Sequence, residues 1–219
     1  GQIKVLVSGP DFVSSPRLSK KGDQIAWLQW NHPNMPWDDT QLCVASLEEM
    51  TLTDQKIVKS KAESFFQPEW DDQGNLYVVS DRNNWWNLFR VDQSTNDMDL
   101  IPLTNIEAEI GLPQWVFGQS RYVFVGDEIW LAYREAGIDN LATLLPDGRL
   151  EKIEIDATEI ESVTNYQDGI VATVSSWKAE SLVAFVNRKE IRPLSKTRDL
   201  GIDENWFPVP ETFTYQTSD

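Results

Sequence analysis

A repeat built around a proline and a glycine is the feature of this sequence that most restricts its fold. The segment Ser15-Pro16-Arg17-Leu18 recurs as Gln67-Pro68-Glu69-Trp70 and as Leu112-Pro113-Gln114-Trp115, with the prolines 52 and 45 residues apart. Each proline is followed by a glycine at a nearly constant offset, namely Gly22, Gly74 and Gly118. A fourth, degenerate copy without the proline runs from about Ser162 through Gly169 to Leu182. A period of 45 to 52 residues is typical of the blades of a β-propeller.

Short apolar segments between turn signals indicate an all-β chain, because no segment shows helical spacing over a dozen residues. The clearest candidate strands are Ile25–Trp30, Leu42–Leu47, Leu76–Ser80, Leu88–Val91, Tyr122–Val125, Ile129–Tyr133, Leu141–Leu145, Ile170–Val174 and Leu182–Val186. The turns between them contain Gly22, Gly74, Gly148 and Gly169, where we expect glycine to supply a positive φ. The lone Cys43, between Leu42 and Val44, is predicted to be a strand residue.

The repeat predicts a partial β-propeller of about four TolB-like four-stranded blades, with blades at approximately 14–62, 63–110, 111–160 and 161–200. Residues 1–13 are predicted to supply the last strand of a preceding blade, over Gln2–Ser8. Residues 201–219 are predicted to form an exit segment with a strand over Glu211–Tyr215. The ten tryptophans are expected to lie largely on the strands, as stacking surfaces between blades. Because missing blades would leave apolar faces uncovered, we expect the fragment to self-associate.

Charge and composition narrow the function. The chain has 19 Lys and Arg residues against 35 Asp and Glu residues, a net charge of −16. This excess of acid argues against nucleic acid and against an anionic membrane surface. Its ordinary role is solubility, and a functional partner of the charge would be cationic: a peptide amine, a basic protein or a metal ion. No apolar run approaches the roughly 18 residues of a membrane span. A single cysteine fits a reducing compartment, so we expect a cytoplasmic protein.

Three stretches are more specific than a generic blade. They are 14–38, which contains His-Pro-Asn-Met-Pro-Trp-Asp; 67–88, which contains Ser-Asp-Arg and Trp-Trp-Asn-Leu; and 107–118. Together they resemble the N-terminal propeller of the prolyl oligopeptidase family of serine peptidases, in the acylaminoacyl- and dipeptidyl-peptidase-like subgroup. The resemblance implies two partners, a C-terminal α/β-hydrolase domain bearing the catalytic Ser, Asp and His, and a peptide substrate. It also implies that the propeller covers the active-site cleft and helps hold the N-terminal side of the peptide. Residues 207–215 resemble the junction between the two domains.

The sequence lacks the family's catalytic signature. It contains no Gly-x-Ser-x-Gly nucleophile elbow, and its single histidine, His32, lies within the propeller-like motif. We therefore expect no catalytic residue in this chain, no activity of the chain alone and no cofactor. No metal site is expected, because there is no Cys and His cluster and because Asp71–Asn75 resembles a hairpin turn more than a calcium loop.

Ten residues are candidates for contact with the substrate or the hydrolase domain. The proline-rich loop supplies His32, Asn34, Met35, Trp37 and Asp38, although its prolines could equally shape a hairpin loop whose Met35 and Trp37 pack on the next blade. Glu107 and Glu109 could attract a substrate ammonium, or form a solvated connector between blades. Arg82, Trp85 and Trp86 could stack against a substrate side chain, but a turn and packing between blades are the more ordinary roles.

Two other functions stay open at this point. A freestanding TolB-like propeller that binds a protein or peptide fits the repeat equally well. A propeller glycosidase could use carboxylates such as Asp38 and Glu109 as acid and base.

Overall fold

The computed structural model describes residues 3–58, 62–199 and 201–217. Within these ranges the chain forms sixteen strands in four antiparallel four-stranded sheets, with one 3₁₀ turn at Glu204–Trp206 and no α-helix. The all-β prediction is confirmed. The chain divides into two compact units, of which residues 1–119 form unit 1 and residues 120–219 form unit 2.

Unit 1 contains two sheets whose strands follow chain order. The first consists of β1 (Phe12–Leu18), β2 (Gln24–Trp30), β3 (Gln41–Glu48) and β4 (Thr51–Ile57). The second consists of β5 (Phe65–Trp70), β6 (Leu76–Ser80), β7 (Asn87–Val91) and β8 (Leu100–Pro102).

Unit 2 repeats this arrangement. Its first sheet consists of β9 (Tyr122–Val125), β10 (Glu128–Glu135), β11 (Ile138–Leu144) and β12 (Leu150–Ile153). Its second consists of β13 (Glu159–Tyr166), β14 (Gly169–Ser176), β15 (Ala179–Val186) and β16 (Ile191–Pro193). All nine segments predicted as strands fall on observed strands. The blade boundaries stay a prediction, and the one at residue 200 lies outside the described residues.

Alternation along the strands builds the core of each unit, since neighbouring residues of a strand face opposite sides of its sheet. In unit 1, Ala26 and Leu28 of β2 belong to one buried cluster with Phe65 and Val78 of the second sheet. Trp27, between them, points to the opposite face and packs with Cys43. In unit 2 a corresponding cluster joins Trp130, Ala132 and Leu141 of the third sheet to β13, β14 and β15 of the fourth.

One structural feature recurs in the first, second and fourth copies of the repeat. Ser15, Gln67 and Ser162 each have positive φ, near +50°, and each lies at a break in the register between the first and second strands of its sheet. These breaks are β-bulges, which bend a strand and leave a residue outside the ladder. Thus Pro16 and Pro68 lie at bulges, where the missing N–H of proline costs no ladder bond.

The prediction for the third copy is wrong. Pro113 and Gly118 precede β9 and lie on no strand. The turn between β9 and β10 instead contains Gly126, which has positive φ. The third strands of the first three sheets are nevertheless equivalent, because each carries a fully buried leucine: Leu42, Leu88 and Leu141.

The turn glycines are not all alike. Gly22, Gly74 and Gly148 have positive φ, as predicted. Gly169 does not, so the prediction for its turn is wrong, and the positive φ of that turn belongs to Gln167.

The predicted flanking strands do not form within the described residues. The segments 3–8 and 211–215 contain no strand, and Gln2 lies outside the described part. A strand needs a neighbour for its N–H and C=O groups, and neither segment has one in the sheets that the structure describes. Val7 nevertheless packs against the Trp27 and Cys43 cluster.

The tryptophans depart from expectation. Only Trp27, Trp30, Trp70 and Trp130 lie on strands. The other six, which lie between or after strands, are Trp37, Trp85, Trp86, Trp115, Trp177 and Trp206. The stacking role thus fits the buried Trp130 and the partly buried Trp70, which pack in clusters between two sheets, whereas several of the others gather in the loops described below.

Candidate functional site

All ten candidate residues lie at one edge of the two sheets of unit 1. Phe12 at the start of β1 is opposite Trp30 at the end of β2, and Phe65 at the start of β5 is opposite Ser80 at the end of β6. The segments 31–40 and 81–86 therefore leave their sheets at this edge, and 103–119 does so too, because β8 runs antiparallel to β7 and ends where β7 begins. We call these three segments the loop edge. Thr40 joins the two sheets here, because its hydroxyl oxygen accepts the Phe65 N–H at 2.6 Å.

The proline-rich loop is folded back on itself. The Asp38 carboxylate accepts the Met35 N–H at 2.8 Å, and the Asp38 N–H in turn donates to the Met35 carbonyl. The Asn34 N–H donates to the Asn31 carbonyl. His32 is exposed, and its backbone N–H donates to Asp11. One carboxylate oxygen of Asp38 is thus used to shape the loop, while the His32 imidazole and the Met35 side chain are accessible.

Trp37 contacts a residue that was not among the candidates. Its ring lies 4.3 Å from that of Trp115, between centroids, with the planes tilted by 49°. Trp115 is 74% exposed, and the adjacent Phe117 is 72% exposed. The loop edge therefore presents an aromatic surface to solvent, larger than the surface of an isolated tryptophan. Sequence reasoning assigned Trp115 to the repeat and missed its exposure, although Trp-Val-Phe before a glycine was a visible signal.

Arg82 is held by structural contacts. Its guanidinium donates to both carboxylate oxygens of Glu63, at 2.8 and 2.9 Å, and lies 5.5 Å from the Phe89 ring centroid. Glu63 is buried and also accepts the Ser80 hydroxyl. A bidentate pair on a buried carboxylate fixes the arginine in place. Asp81 accepts the Ser64 N–H beside it, and burial raises the pKa of Asp81 above its usual range although that N–H lowers it.

Trp86 and Glu109 form a second fixed pair. The Glu109 carboxylate accepts the Trp86 N–H at 2.8 Å, and the Trp86 carbonyl accepts the Ile110 N–H, also at 2.8 Å. The Trp86 ring meets Phe66 edge to face and lies so close to Gly111 that a Cβ there would be 2.6 Å from it. These contacts are with its own sheet and with the segment that follows it, so packing between blades stays a prediction for Trp86.

Glu107 and Trp85 are the accessible members of this part of the loop edge. Glu107 is exposed and Trp85 is 37% exposed. The ten candidates thus separate into positioned groups, namely Asp38, Arg82, Trp86 and Glu109, and groups open to a ligand, chiefly His32, Met35, Trp85 and Glu107. Their assignment to a site stays a prediction.

In the described ranges no group of three or more His, Cys, Asp or Glu side chains could hold a metal ion. The Asp71–Asn75 segment is the hairpin turn between β5 and β6, as predicted, and its Asp71 carboxylate accepts two backbone N–H groups of the turn. Nor does the described part of the chain contain a helix long and apolar enough to cross a bilayer.

The chain is similar to several proteins of known structure. The sequence matches no protein-family model and no curated protein. A crystal structure of puromycin hydrolase complexed with PGG superposes with a TM-score of 0.85 at 29% identity, over 94% of this chain. A puromycin-hydrolyzing peptidase of Mycobacterium tuberculosis gives 0.81 at 29% identity over 88%. Prolyl oligopeptidase B of Galerina marginata gives 0.66 at 14% identity over 87%, which shows a shared fold alone.

The similarity covers only part of each neighbour. This chain spans 32% of the puromycin hydrolase chain, 30% of the Mycobacterium tuberculosis peptidase and 27% of prolyl oligopeptidase B. The aligned part is the propeller, so the four sheets are propeller blades. The prediction of a partial β-propeller with about four blades is confirmed.

Proposed function

Because the chain is an N-terminal β-propeller segment of the prolyl oligopeptidase family, we propose that it is the non-catalytic part of a serine peptidase. Peptide hydrolysis would then reside in an α/β-hydrolase domain outside these 219 residues. The observation that carries the proposal is the similarity to puromycin hydrolase over 94% of this chain. The absence of a Gly-x-Ser-x-Gly elbow from the sequence supports the non-catalytic role.

The proposed role of the propeller is to restrict access to the hydrolase domain and to contact the N-terminal side of the peptide. The loop edge supports this role with two kinds of exposed group. The aromatic surface of Trp37 and Trp115 can pack against apolar side chains of a peptide. The exposed carboxylate of Glu107 can attract a terminal ammonium. Glu109 would act as a positioning residue, since it holds the Trp86 backbone.

The test starts from activity. The 219-residue chain alone should not hydrolyse aminoacyl and dipeptidyl chromogenic substrates, whereas the protein encoded by the full reading frame should. In that full protein, Glu107→Gln should raise KM for a substrate with a free amino terminus and leave KM unchanged for the N-acetylated form of the same substrate. Glu49→Gln is the matched control, because Glu49 is exposed at the turn between β3 and β4, at the opposite edge of the sheet.

Two outcomes would contradict the proposal. Turnover by the purified chain alone, unaffected by His32→Ala, would show that the chain is catalytic. A reading frame that encodes no hydrolase domain would favour a freestanding propeller that binds a protein or peptide partner.

Self-association and a cytoplasmic location are further parts of this proposal. The exposed aromatic side chains of Trp115, Trp206, Phe213 and Tyr215 support association between copies. Light scattering at micromolar concentration should give a mass above the 25.1 kDa of one chain. A monomer mass would contradict the association, and localisation of the tagged protein outside the cytoplasm would contradict the location.

A further inference from the structure

A cavity of about 130 Å³ lies in unit 1 between the first strands of its two sheets. Pro16, Phe66 and Phe117 give it apolar walls, and Gln67, Gln114 and Gln119 add three side-chain amides. Gln114 holds segment 114–119 against the start of β5, because its Nε2 donates to the Phe65 carbonyl at 3.0 Å. The cavity therefore adjoins the loop edge.

The β-bulges of the repeat contribute two of the cavity's sides. Ser15 and Gln67, which both line it, have φ of +50° and +48°. A non-glycine residue rarely adopts such a conformation, and it costs free energy unless the surrounding structure enforces it. The positive φ and the β-bulge occur in both β1 and β5, so two copies of the repeat shape the walls of the cavity.

Gln119 contributes an unpaired hydrogen-bond acceptor to the cavity. Its Oε1 is buried and accepts no hydrogen bond from any described residue. An unpaired buried acceptor is unfavourable, and a ligand that donates an N–H or O–H would relieve that cost.

The charge at the cavity excludes an anion as the preferred ligand. Arg17 is the only charged residue among the described ones that line it, and its Nε donates to Glu69 at 2.7 Å. A second nitrogen of Arg17 donates to the Pro16 carbonyl. The guanidinium is thus already neutralised. Burial raises the pKa of Glu69 above its usual value, although Arg17 lowers it.

The geometry points to a binding site for an uncharged peptide group, with an N–H donated to Gln119 Oε1 and apolar atoms packed against Pro16, Phe66 and Phe117. The volume suits such a group, because an engineered cavity of about 150 Å³ in another protein binds benzene. The identity of the occupant as substrate peptide rests on the proposed function. The preference for an N–H donor rests on the cavity alone.

The test compares two probes on the 219-residue chain. N-acetylalanine methylamide carries amide N–H groups, and its fully N-methylated analogue has none while keeping the carbonyls and the apolar body. Titration followed by NMR should show the N-methylated analogue binding about fivefold more weakly, as expected for one hydrogen bond. The shifted resonances should belong to residues that line the cavity, such as Phe66 and Gln119.

Two variants test whether Gln119 causes the difference in affinity between the probes. Gln119→Leu should remove the difference between the two probes, whereas Gln93→Leu should preserve it, because Gln93 donates to Gly74 at the other edge of the sheet. Equal affinity of the unmodified chain for both probes, shifts confined to other residues, or no binding would overturn the proposal. None of these results involves peptide hydrolysis, so they are distinguishable from failure of the proposed function.

Discussion

The Arg121 guanidinium donates to both carboxylate oxygens of Asp139, at 2.9 and 3.0 Å, and both side chains are fully buried. Arg134 donates to the same two oxygens, and the Ile160 N–H donates to one of them at 2.9 Å. A buried ion pair offsets the cost of leaving water only when its remaining polar atoms are also bonded. Asp139 meets that condition and thereby ties β11 to β13 within unit 2.

Removal of the Asp139 carboxylate should therefore be costly. Asp139→Ala removes the carboxylate that neutralises the buried Arg121 charge, and we expect a loss of about 3–5 kcal/mol in the free energy of unfolding. Urea denaturation followed by tryptophan fluorescence measures this loss. Asp147→Ala is the control, because Asp147 pairs with Arg149 on the surface and its removal should leave the midpoint nearly unchanged. Similar losses in both variants would contradict this account.

The same carboxylate should make stability depend on pH. Burial alone would raise the pKa of Asp139, but Arg121, Arg134 and the Ile160 N–H outweigh burial and hold it below 3.8, its ordinary value. Since the folded pKa is lower than the unfolded one, the stabilisation is complete above the unfolded pKa and is lost as the pH falls through the folded pKa. The difference in unfolding free energy between the wild type and Asp139→Asn should shrink from pH 7 to pH 3. A difference that stays constant over this range would rule out the mechanism.

The sequence was sufficient to predict the strands, because alternating burial leaves a clear pattern. Leu42 and Leu88, for example, repeat on equivalent strands with complete burial. The error at Pro113 has a physical cause. The spacing from proline to glycine predicts a bulged first strand only where the residues between them pair with a neighbouring strand. Residues 113–118 lie on no strand. Local sequence does not reveal that difference.

The candidate site was predictable in its location but not in its contacts. Loops after the second strands carry polar and aromatic residues, and this composition indicated segments 31–39 and 81–86. Whether a carboxylate such as Glu109 is free or bound to a backbone N–H depends on a partner 23 residues away. The contact between Trp37 and Trp115 spans a still longer separation, and no spacing rule predicts it.

A hydrogen-bonding device shared by three sheets was also invisible in the sequence. Thr40, Asn87 and Asp139, at or just before third strands, each accept an N–H from the segment that follows their sheet. The three side chains have different chemistry, so no motif identifies them. Each satisfies a buried or partly buried backbone donor.

Asn87→Ala tests this device in unit 1. Asn87 accepts the Ile106 N–H and the Thr104 hydroxyl, at 2.9 and 2.8 Å, and its removal leaves both donors without that acceptor. We expect a loss of about 1–3 kcal/mol in unfolding free energy by urea denaturation. Asn105→Ala removes an exposed amide that accepts a hydrogen bond from Asn83 on the surface, and its effect should stay within about 0.5 kcal/mol. Equal effects of the two substitutions would show that the device contributes little.

Cys43 should be unreactive in the folded protein. It is buried on β3, and burial raises its pKa to about 12. Because the thiolate is the nucleophile, a thiol reagent at pH 8 meets almost none of the reactive form. In about 8 M urea, which unfolds the chain, the reagent should modify Cys43 completely. Over the same time we expect no modification of the native chain. Fast modification without denaturant would contradict the buried position.

Gly169→Ala should destabilise unit 2 through a collision. A Cβ at this position would lie 2.2 Å from the Val186 carbonyl oxygen and 2.8 Å from Asn187 Cβ. The first of these atoms belongs to the backbone of β15, which pairs with β14 through Ile170 and Val186, so it cannot move without disturbing the sheet. The cost should be at the upper end of the roughly 1–3 kcal/mol seen for overpacking.

The matched comparison is Gly148→Ala. Gly148 has φ of +84° and no atom within 4 Å of a built Cβ, so its substitution introduces backbone strain without a collision. We expect Gly148→Ala to cost about 1 kcal/mol, the usual penalty for a residue with a Cβ in this conformation. Urea denaturation of both variants should therefore give the larger loss for Gly169→Ala. Equal losses would mean that the β14–β15 pair yields to the added methyl group, and that the glycine at the start of β14 serves the turn alone.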